Sequence, residues 1–371
     1  MKTAALSDMT MPRLLKRRAE EHGDTLAMRE KDRGLWRRTT WRDYYEAVRV
    51  VAIGTHAIGF RAGDRLAIAS EDTPEWMFAD LAAQALGGAG LGIYPTNPWP
   101  EMQYILRHSR AKIVICGDQE QTDKVIDARR HDGGLPDLET IVCVDMKGMR
   151  RYVEPGLMSF AALMDIGRRN EAEFGALVDS RLNGGNPDDV AIIVYTSGTT
   201  GMPKGAMLTH RNMLYSAERV ADVYDLDPRS YSVVCYLPLC HVAERGFSTV
   251  LQLVTGCVVS FAESVDTVIA DLARDRAKGV SRRAAHLGKD ARDRALPGEG
   301  HDAFPAARVR DLHADRPRRR RAAVGPWRRL RGSKGPVALR RALARLFRRV
   351  ATVPRRRSGA QRLLRRRRDL E

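Results

Sequence analysis

The chain has 371 residues, of which 43% are hydrophobic and 29% are charged, and its formal net charge is +17. These proportions are close to those of soluble globular proteins and exclude a wholly disordered or collagen-like chain. The positive charge is confined to the last part of the chain. Residues 1–272 hold 31 Lys and Arg against 37 Asp and Glu, and residues 273–371 hold 32 against 9, which gives net charges of −6 and +23.

Apolar periodicity predicts helices and strands in alternation. Leu14, Leu15 and Ala19 have helical spacing, and Thr40 is the predicted N-cap of the next helix. Further strands are predicted at 64–70, 89–95, 112–117, 138–145, 190–198, 232–239 and 256–261, and further helices at 74 to about 85, 100–111, 119–130 and 210–224. Strands in alternation with helices of about ten to fifteen residues indicate an α/β protein with a mostly parallel sheet covered by helices.

The five cysteines are odd in number and have no CxxC spacing, which predicts neither a disulfide framework nor a zinc site. Cys116, Cys143 and Cys257 lie in apolar runs, where buried thiols are common. We expect no signal peptide, and the longest apolar run, at 250–261, is too short to span a bilayer. The predicted location is cytoplasmic, with peripheral membrane contact left open.

The segment YTSGTTGMPKGAMLTHRN (195–212) is the most informative part of the sequence. It follows a predicted buried strand and precedes a predicted helix, where backbone N–H groups and a helix N-terminus can face an anion. Three glycines permit close backbone approach and positive φ: Gly198, Gly201 and Gly205. Four hydroxyl groups surround the loop: Thr196, Ser197, Thr199 and Thr200. Lys204 adds a positive charge suited to the phosphates of a nucleotide.

This loop is not a Walker A motif. That pattern has Gly-Lys-[Ser/Thr] after a four-residue spacer, whereas Pro203 precedes Lys204 and Gly205 follows it. The alternative is a surface turn rich in Gly and Thr with a solvated lysine. The length of the motif and its place between a strand and a helix favour a phosphate loop.

The loop resembles the signature loop of the adenylate-forming (AMP-binding) superfamily, which includes acyl-CoA synthetases, luciferases and the adenylation domains of peptide synthetases. Three more segments narrow the resemblance to long-chain fatty acid–CoA ligases: GDRLAIASEDTPEWMFADLAAQALGGAGLGIYPTNP (63–98), YILRHSRAKIVICGDQEQTDKV (104–125) and YLPLCHVAERGFS (236–248). The resemblance runs from about residue 14 to residue 272. It implies that residues 1–272 form an incomplete N-terminal domain of the adenylate-forming fold.

The resemblance implies a two-step reaction. ATP and a fatty acid would give an acyl-adenylate and pyrophosphate, and the thiol of CoA would then displace AMP. Because a carboxylate is a weak nucleophile, catalysis would depend on positioning and on neutralising charge as pyrophosphate leaves. ATP with Mg²⁺ is the implied cofactor, CoA the co-substrate and a fatty acid the substrate, and no residue is assigned as a metal ligand.

The resemblance also implies which residues form the site. Lys204 would be the catalytic residue, and the ATP phosphates would be held by Thr196, Ser197, Gly198, Thr199, Thr200, Gly201 and Lys204. His241 corresponds to a position that lines the acyl and adenylate pocket in members of the family. The alternative is that His241 is a structural histidine at the start of a helix, packed in a mostly closed interface, and the sequence does not favour one of the two. Glu244 and Arg245 could pair near this pocket, but we expect a solvated ion pair.

Residues 273–371 differ in character from the rest of the chain. Arg accounts for 29 of these 99 residues, as in RPRRRR (316–321) and RRRR (365–368), while Ile, Tyr, Asn, Met and Cys are absent. One hypothesis is a nucleic-acid-binding arm, since clustered Arg neutralises phosphates. A second is a membrane-surface helix over 337–353, where Leu339, Leu343 and Leu346 have helical spacing. A third is a shifted reading frame of a GC-rich gene.

The encoded residues favour the third hypothesis. Codons can be chosen for ARDRAKGVSRRAAHLGKDAR (273–292) so that the same bases, read one base later, encode REIAPKVFLGVPRIWEKMHA. That peptide is similar to the continuation of long-chain acyl-CoA ligases. We therefore expect an out-of-frame tail, disordered or irregular, over 273–371, and do not expect nucleic acid as a partner.

This interpretation has a consequence for activity. The family places Tyr-Gly-x-Thr-Glu, Thr-Gly-Asp and a C-terminal catalytic domain downstream of residue 272, and the sequence contains none of them. We therefore expect a truncated ligase that is poorly soluble and inactive in acyl-CoA formation. Two alternatives remain open: a nucleic-acid-binding protein that uses the basic tail, and an ATP-binding fragment without catalysis.

Overall fold

The computed structural model describes residues 6–196, 202–226 and 232–262. The predicted tail at 273–371 lies outside the described residues. The first half begins with a 3₁₀ turn (Leu6–Asp8) and continues with α1 (Met11–His22), β1 (Leu26–Asp32), β2 (Leu35–Thr40), α2 (Trp41–Ala57), β3 (Arg65–Ala69), α3 (Pro74–Ala85), β4 (Ala89–Ile93), α4 (Trp99–Ser109), β5 (Ala111–Cys116) and α5 (Gln119–Arg130).

The second half comprises β6 (Thr140–Cys143), β7 (Leu157–Ser159), α6 (Phe160–Arg169), α7 (Glu171–Gly184), β8 (Val190–Thr196), β9 (Lys204–Thr209), α8 (His210–Tyr224), β10 (Ser232–Cys235), α9 (Val242–Glu244), a π-helical segment (Arg245–Leu251), α10 (Gln252–Thr255) and β11 (Val258–Phe261). Every strand and helix predicted between residues 14 and 261 is present, although several are shorter than predicted. The end of the predicted strand 190–198 and the hypothesised helix at 337–353 lie outside the described residues. Several elements were not predicted from the sequence: β1, β2, β7, α6, α7, β9, α9, the π-helical segment and α10.

The strands form two sheets. The seven-stranded sheet has the order β7-β6-β5-β3-β4-β8-β9, and all neighbours in it are parallel except β8 and β9. The four-stranded sheet has the order β10-β11-β1-β2, in which only β1 and β2 are antiparallel. The predicted α/β class with mostly parallel sheets is therefore confirmed.

Helices cover both faces of the central part of the seven-stranded sheet, so strands β3, β4, β5, β6 and β8 are mostly apolar and buried, whereas the edge strand β9 is partly exposed. Leu66 and Ile68 of β3 belong to the core cluster that includes α2 and α3, whereas Ala67 and Ala69 belong to the cluster that includes α4 and α5. Successive residues of a strand point to opposite faces, which explains the division. The sheet therefore separates two apolar layers.

Local contacts explain where several elements begin and which groups are buried. The predicted N-cap at Thr40 is confirmed: its hydroxyl accepts from the Asp43 N–H at 3.2 Å, and the Asp43 carboxylate accepts from the Thr40 N–H at 3.0 Å. The hydrogen bonds from Thr40 lower the pKa of Asp43.

All five cysteines are buried free thiols, as predicted for three of them. No helix within the described ranges is long and apolar enough to cross a membrane.

His210 connects the first helix of the chain to α8. The backbone N–H of Met11 donates to Nδ1 of His210 at 3.2 Å, and both residues are buried. Burial lowers the pKa of His210 to about 4. Protonation would place a proton on the nitrogen that accepts this bond, so the packed structure requires the neutral ring.

We expect this histidine to make stability pH-dependent. In the unfolded chain a histidine takes up its proton near pH 6.5, whereas folded His210 takes it up only near pH 4. Stability should therefore be fully present above pH 6.5 and fall by about 3 kcal/mol as the pH drops to 4. Urea unfolding at several pH values measures this change. His210→Asn, which keeps an acceptor but does not titrate, is the control, and equal pH profiles for the two proteins would contradict the prediction.

Candidate active site

The loop end of the β8–β9 hairpin carries two residues of the predicted phosphate loop. Thr196 is the last residue of β8, Lys204 is the first residue of β9, and the two are cross-strand partners. Both residues are exposed. Because β8 is parallel to its neighbour β4, this end of the hairpin lies at the carboxyl edge of the parallel strands, where α/β proteins commonly bind ligands.

The other predicted phosphate-binding residues lie outside the described residues: Ser197, Gly198, Thr199, Thr200 and Gly201. Their roles stay predictions. The described geometry brings together the two residues that flank them, Thr196 and Lys204.

The ammonium group of Lys204 is available to an anion. Across residues 6–196, 202–226 and 232–262, no carboxylate lies within ion-pair distance of it. By contrast, Lys124 pairs with Glu120 at 2.7 Å and Lys112 pairs with Glu139 at 3.4 Å. An exposed lysine without a carboxylate partner can neutralise a bound phosphate without first breaking an ion pair.

The helix that follows the loop does not begin at the loop, which corrects the sequence analysis. Residues 204–209 form β9, and Thr209 at its far end pairs with Val190, the first residue of β8. Since α8 begins at His210, its N-terminus lies at the opposite end of the hairpin, roughly 20 Å along the strand. The Lys-Gly-Ala-Met-Leu-Thr segment extends as an edge strand because β8 offers it an open edge to pair with. The N-terminus of α8 therefore cannot face a ligand at the loop.

At Gly205 the predicted close approach is present but the predicted positive φ is not, which is a second correction. Gly205 is absent from the residues with positive φ. A Cβ atom there would lie 2.9 Å from Cγ2 of Ile193 and 3.3 Å from Cζ of Tyr195. The ring of Tyr195 therefore occupies the space that a larger residue at 205 would need.

Two residues of α4 contact the ends of the loop, and the sequence analysis missed both. Nδ1 of His108 lies 2.8 Å from the hydroxyl oxygen of Tyr195. The hydroxyl of Tyr104 donates to the carbonyl oxygen of Pro203 at 3.0 Å. Their four-residue spacing, which puts two side chains on one face of a helix, was the available signal.

His241 caps the short helix α9. Its Nδ1 accepts from the Ala243 N–H at 3.1 Å, and its side chain is exposed. The helix-start position considered in the sequence analysis is thus present, but the closed interface is not. The predicted role of His241 in an acyl and adenylate pocket stays a prediction.

Glu244 and Arg245 do not form a solvated ion pair, which corrects a third expectation. Both residues are buried. Glu244 accepts a short hydrogen bond from the hydroxyl of Ser248, and Arg245 pairs with Asp80 on α3. The helical segment 242–255 turns both side chains inward, where water cannot solvate them.

The pair of Asp80 and Arg245 is the most deeply buried ion pair of the site, with both side chains 1% exposed. Nε of Arg245 donates to Oδ2 of Asp80 at 3.1 Å, and a second nitrogen donates to Oδ1. The guanidinium also lies 4.9 Å from the centre of the Trp76 ring. Burial raises the pKa of Asp80, and the guanidinium of Arg245 opposes that rise.

A second carboxylate holds the chain just before His241. Oδ1 of Asp72 accepts from the Leu239 N–H at 2.8 Å. Burial raises the pKa of Asp72 to about 7, a rise that the Leu239 bond opposes. Burial also raises the pKa of Glu244 to about 7, and the charge of Asp72 adds to that rise. The segment that carries His241 is therefore held by half-buried Asp72 before it and by buried Asp80 after it.

Comparison with known proteins identifies the family of the chain. The model of the AMP-binding enzyme family matches residues 15–279, which is more than half of the chain. The chain belongs to this family. The AMP-binding match begins and ends close to the limits of the resemblance seen in the sequence, 14 and 272.

The curated relatives of this AMP-binding chain are much longer than the matched region. The long-chain-fatty-acid–CoA ligase ACSBG1 of Bos taurus is 33% identical over 247 residues, which cover 66% of this chain and 33% of the relative. The ligase ACSBG2 of Xenopus laevis is 29% identical over 267 residues, which cover 70% of this chain and 34% of the relative. The chain spans about a third of the length of these relatives.

Solved structures share the AMP-binding fold. A long-chain-fatty-acid-CoA ligase (FadD1) from Archaeoglobus fulgidus superposes with a TM-score of 0.59 at 21% identity, covering 73% of this chain and 50% of that one. The anthranilate CoA ligase AuaEII in complex with anthranoyl-AMP superposes with a TM-score of 0.59 at 22% identity, covering 71% of this chain and 47% of that one. At these identities the likeness shows the fold alone.

We expect the buried ion pair to be essential for stability. Arg245→Met leaves the Asp80 carboxylate buried without its partner, which should lower the free energy of unfolding by about 3–5 kcal/mol. Adding Asp80→Asn removes the lone charge and should recover part of the loss. Denaturant unfolding measures both variants.

The control is Arg168→Met, because Arg168 and Asp165 form an ion pair on α6 in which the two side chains are 58% and 62% exposed. Loss of an exposed pair should change stability by less than about 1 kcal/mol. Equal losses in Arg245→Met and Arg168→Met would contradict the prediction.

Proposed function

We propose that the chain is the N-terminal part of an ATP-dependent long-chain fatty acid–CoA ligase and that its loop at 196–204 binds the β- and γ-phosphates of ATP. One observation carries the proposal: Thr196 and the exposed Lys204, which has no carboxylate partner among the described residues, are cross-strand partners at the carboxyl edge of a parallel sheet. Membership of the AMP-binding family and the names of its curated relatives support it.

The chemistry that this loop would serve is charge neutralisation. When a fatty acid carboxylate attacks the α-phosphate of ATP, the bond to the β-phosphate breaks and pyrophosphate leaves with additional negative charge. A lysine ammonium and hydroxyl donors placed at the β- and γ-phosphates stabilise that charge. Lys204 acts here as a fixed positive charge and takes no part in proton transfer.

Two further components complete the proposal. Exposed His241 would face the acyl or adenylate group, on a segment that the Asp72 and Arg245 contacts hold in place. The described residues hold no group of three or more His, Cys, Asp or Glu able to bind a metal ion. Mg²⁺ would be carried by the ATP phosphates, as it commonly is in nucleotide sites. CoA would be the second substrate.

Replacement of Lys204 tests the loop. Lys204→Ala should weaken the binding of Mg·ATP by roughly 10- to 100-fold, because a charge-assisted contact contributes about 1.5–3 kcal/mol. Isothermal titration calorimetry on the full chain measures the dissociation constant. Lys147→Ala, which removes another exposed lysine following strand β6, should bind as the unchanged chain does. Absence of saturable ATP binding by the unchanged chain, or full binding by Lys204→Ala, would refute the proposal.

We further infer that residues from about 273 onward come from a shifted reading frame. The rise to 29 Arg in 99 residues and the end of the family match at residue 279 support this inference. The chain as written should then form no acyl-CoA from palmitate, ATP and CoA. Turnover of these three substrates by the purified chain would contradict the expectation of inactivity.

The coding DNA decides the origin of the tail. Read one base later from codon 273, it should encode REIAPKVFLGVPRIWEKMHA, followed by the missing family motifs. An unrelated peptide or an immediate stop codon in that frame would rule out the shift. DNA binding by the full chain that weakens steeply with salt would then support a nucleic-acid-binding arm instead.

A further inference from the structure

Helix α4 contacts the loop of the β8–β9 hairpin from the face of the sheet opposite α3. Tyr195, which precedes the loop, belongs to the core cluster of α4 and α5, whereas its neighbour Val194 belongs to the cluster of α2 and α3. We propose that Tyr104 and His108 on α4 are positioning residues that hold the two ends of this loop for ATP. This inference rests on the proposed function of the loop.

The two contacts reach different ends of the same loop. On the β8 side, His108 and the hydroxyl of Tyr195 are in hydrogen-bond contact at 2.8 Å. On the β9 side, the Tyr104 hydroxyl donates to the Pro203 carbonyl at 3.0 Å. Proline has no backbone N–H, so the carbonyl oxygen is the one backbone group of Pro203 that can form a hydrogen bond with a side chain.

Ring packing joins the two contacts into one unit. The rings of Tyr104 and His108 are stacked with their centres 5.5 Å apart and their planes at 23°. The His108 ring meets the Tyr195 ring edge-on at 5.7 Å and 83°. A displacement of either ring would therefore disturb the contact at the other end of the loop.

The environment leaves Tyr195 little freedom. Its side chain is only 9% exposed, and its ring lies against Gly205 on the paired strand. Burial raises the pKa of Tyr195 to about 12, so its hydroxyl stays protonated at neutral pH and can donate to His108. Fixing both ends of a phosphate-binding loop before ATP arrives lowers the entropy that binding must offset.

A variant that removes one hydroxyl tests the proposal. Tyr104→Phe keeps the stacked ring but loses the donor to Pro203, and hydrogen exchange of the backbone amides measures the result in the full chain without any ligand. Successive antiparallel pairs alternate in hydrogen bonding, so one of the two amides of Lys204 and Gly205 bonds to β8. Loss of one hydrogen bond should speed exchange at that amide about fivefold, with no change in distant helices such as α7. The dissociation constant for Mg·ATP should rise by a similar factor, about fivefold.

Tyr152→Phe is the matched control. The hydroxyl of Tyr152 contacts Asp123 at 2.7 Å and Gln119 at 2.8 Å, both on α5. The variant therefore loses comparable hydrogen bonds at a position away from the hairpin. It should leave exchange at Lys204 and Gly205 unchanged. A second variant, His108→Phe, keeps an aromatic ring but loses the contact to Tyr195 and should speed exchange at the same amide.

The outcomes separate this inference from the proposed function. If Tyr104→Phe and His108→Phe leave exchange at the hairpin end unchanged, or raise it equally throughout the protein, α4 does not position the loop and the inference fails. If exchange rises at the hairpin end but ATP affinity does not change, the contacts serve folding alone and the inference also fails. If the unchanged chain does not bind ATP, the proposed function fails by itself, and the exchange data still decide whether α4 anchors the hairpin.

Discussion

The buried pair of Asp80 and Arg245 is the constraint on which the arrangement of the site depends. Asp80 lies on α3, which connects β3 to β4 of the seven-stranded sheet, and Arg245 lies in the helical segment that connects β10 to β11 of the four-stranded sheet. Two charges removed from water are tolerated only when each satisfies the other in good geometry. Because each charge satisfies the other, and the Gly90 carbonyl lies 3.4 Å from the guanidinium, the pair fixes how these two connections pack together.

Two glycines of β4 make this packing possible. A Cβ atom at Gly90 would lie 2.0 Å from Oδ1 of Asp80, and one at Gly92 would lie 2.5 Å from Cα of Cys240, the residue before His241. Gly92 in turn pairs with Val194 of β8, two residues before Thr196. The absence of side chains at Gly90 and Gly92 thus lets the His241 segment approach the strand next to the one that ends in the loop.

The sequence predicted those helices and strands that are determined by residues close to them in the chain or by a single apolar face. The Thr40 N-cap and the helix 119–130 needed only nearby residues, and β3 needed only an apolar run. The sequence could not predict β9, because its pairing depends on an open edge of β8 that exists only in the folded sheet. It also could not predict that Arg245 is buried, since its partner lies 165 residues away. A signal was nevertheless present: Asp80 stands in the otherwise apolar stretch WMFADLAAQA, and a charge on a fully buried helix requires a partner.

The segment that carries His241 and the candidate phosphate loop at 196–204 are supported from opposite faces of one sheet. Leu239 and Arg245 are held on the α3 face by Asp72 and Asp80, whereas the ends of the candidate phosphate loop contact α4 on the other face. Because the sheet between them is apolar and close-packed, neither layer can shift without disturbing the strands that both contact. Residues remote in sequence, from α4 and from the segment 72–80, therefore contact the chain next to Lys204 and His241, and the edge of the sheet is where these two layers of contacts meet.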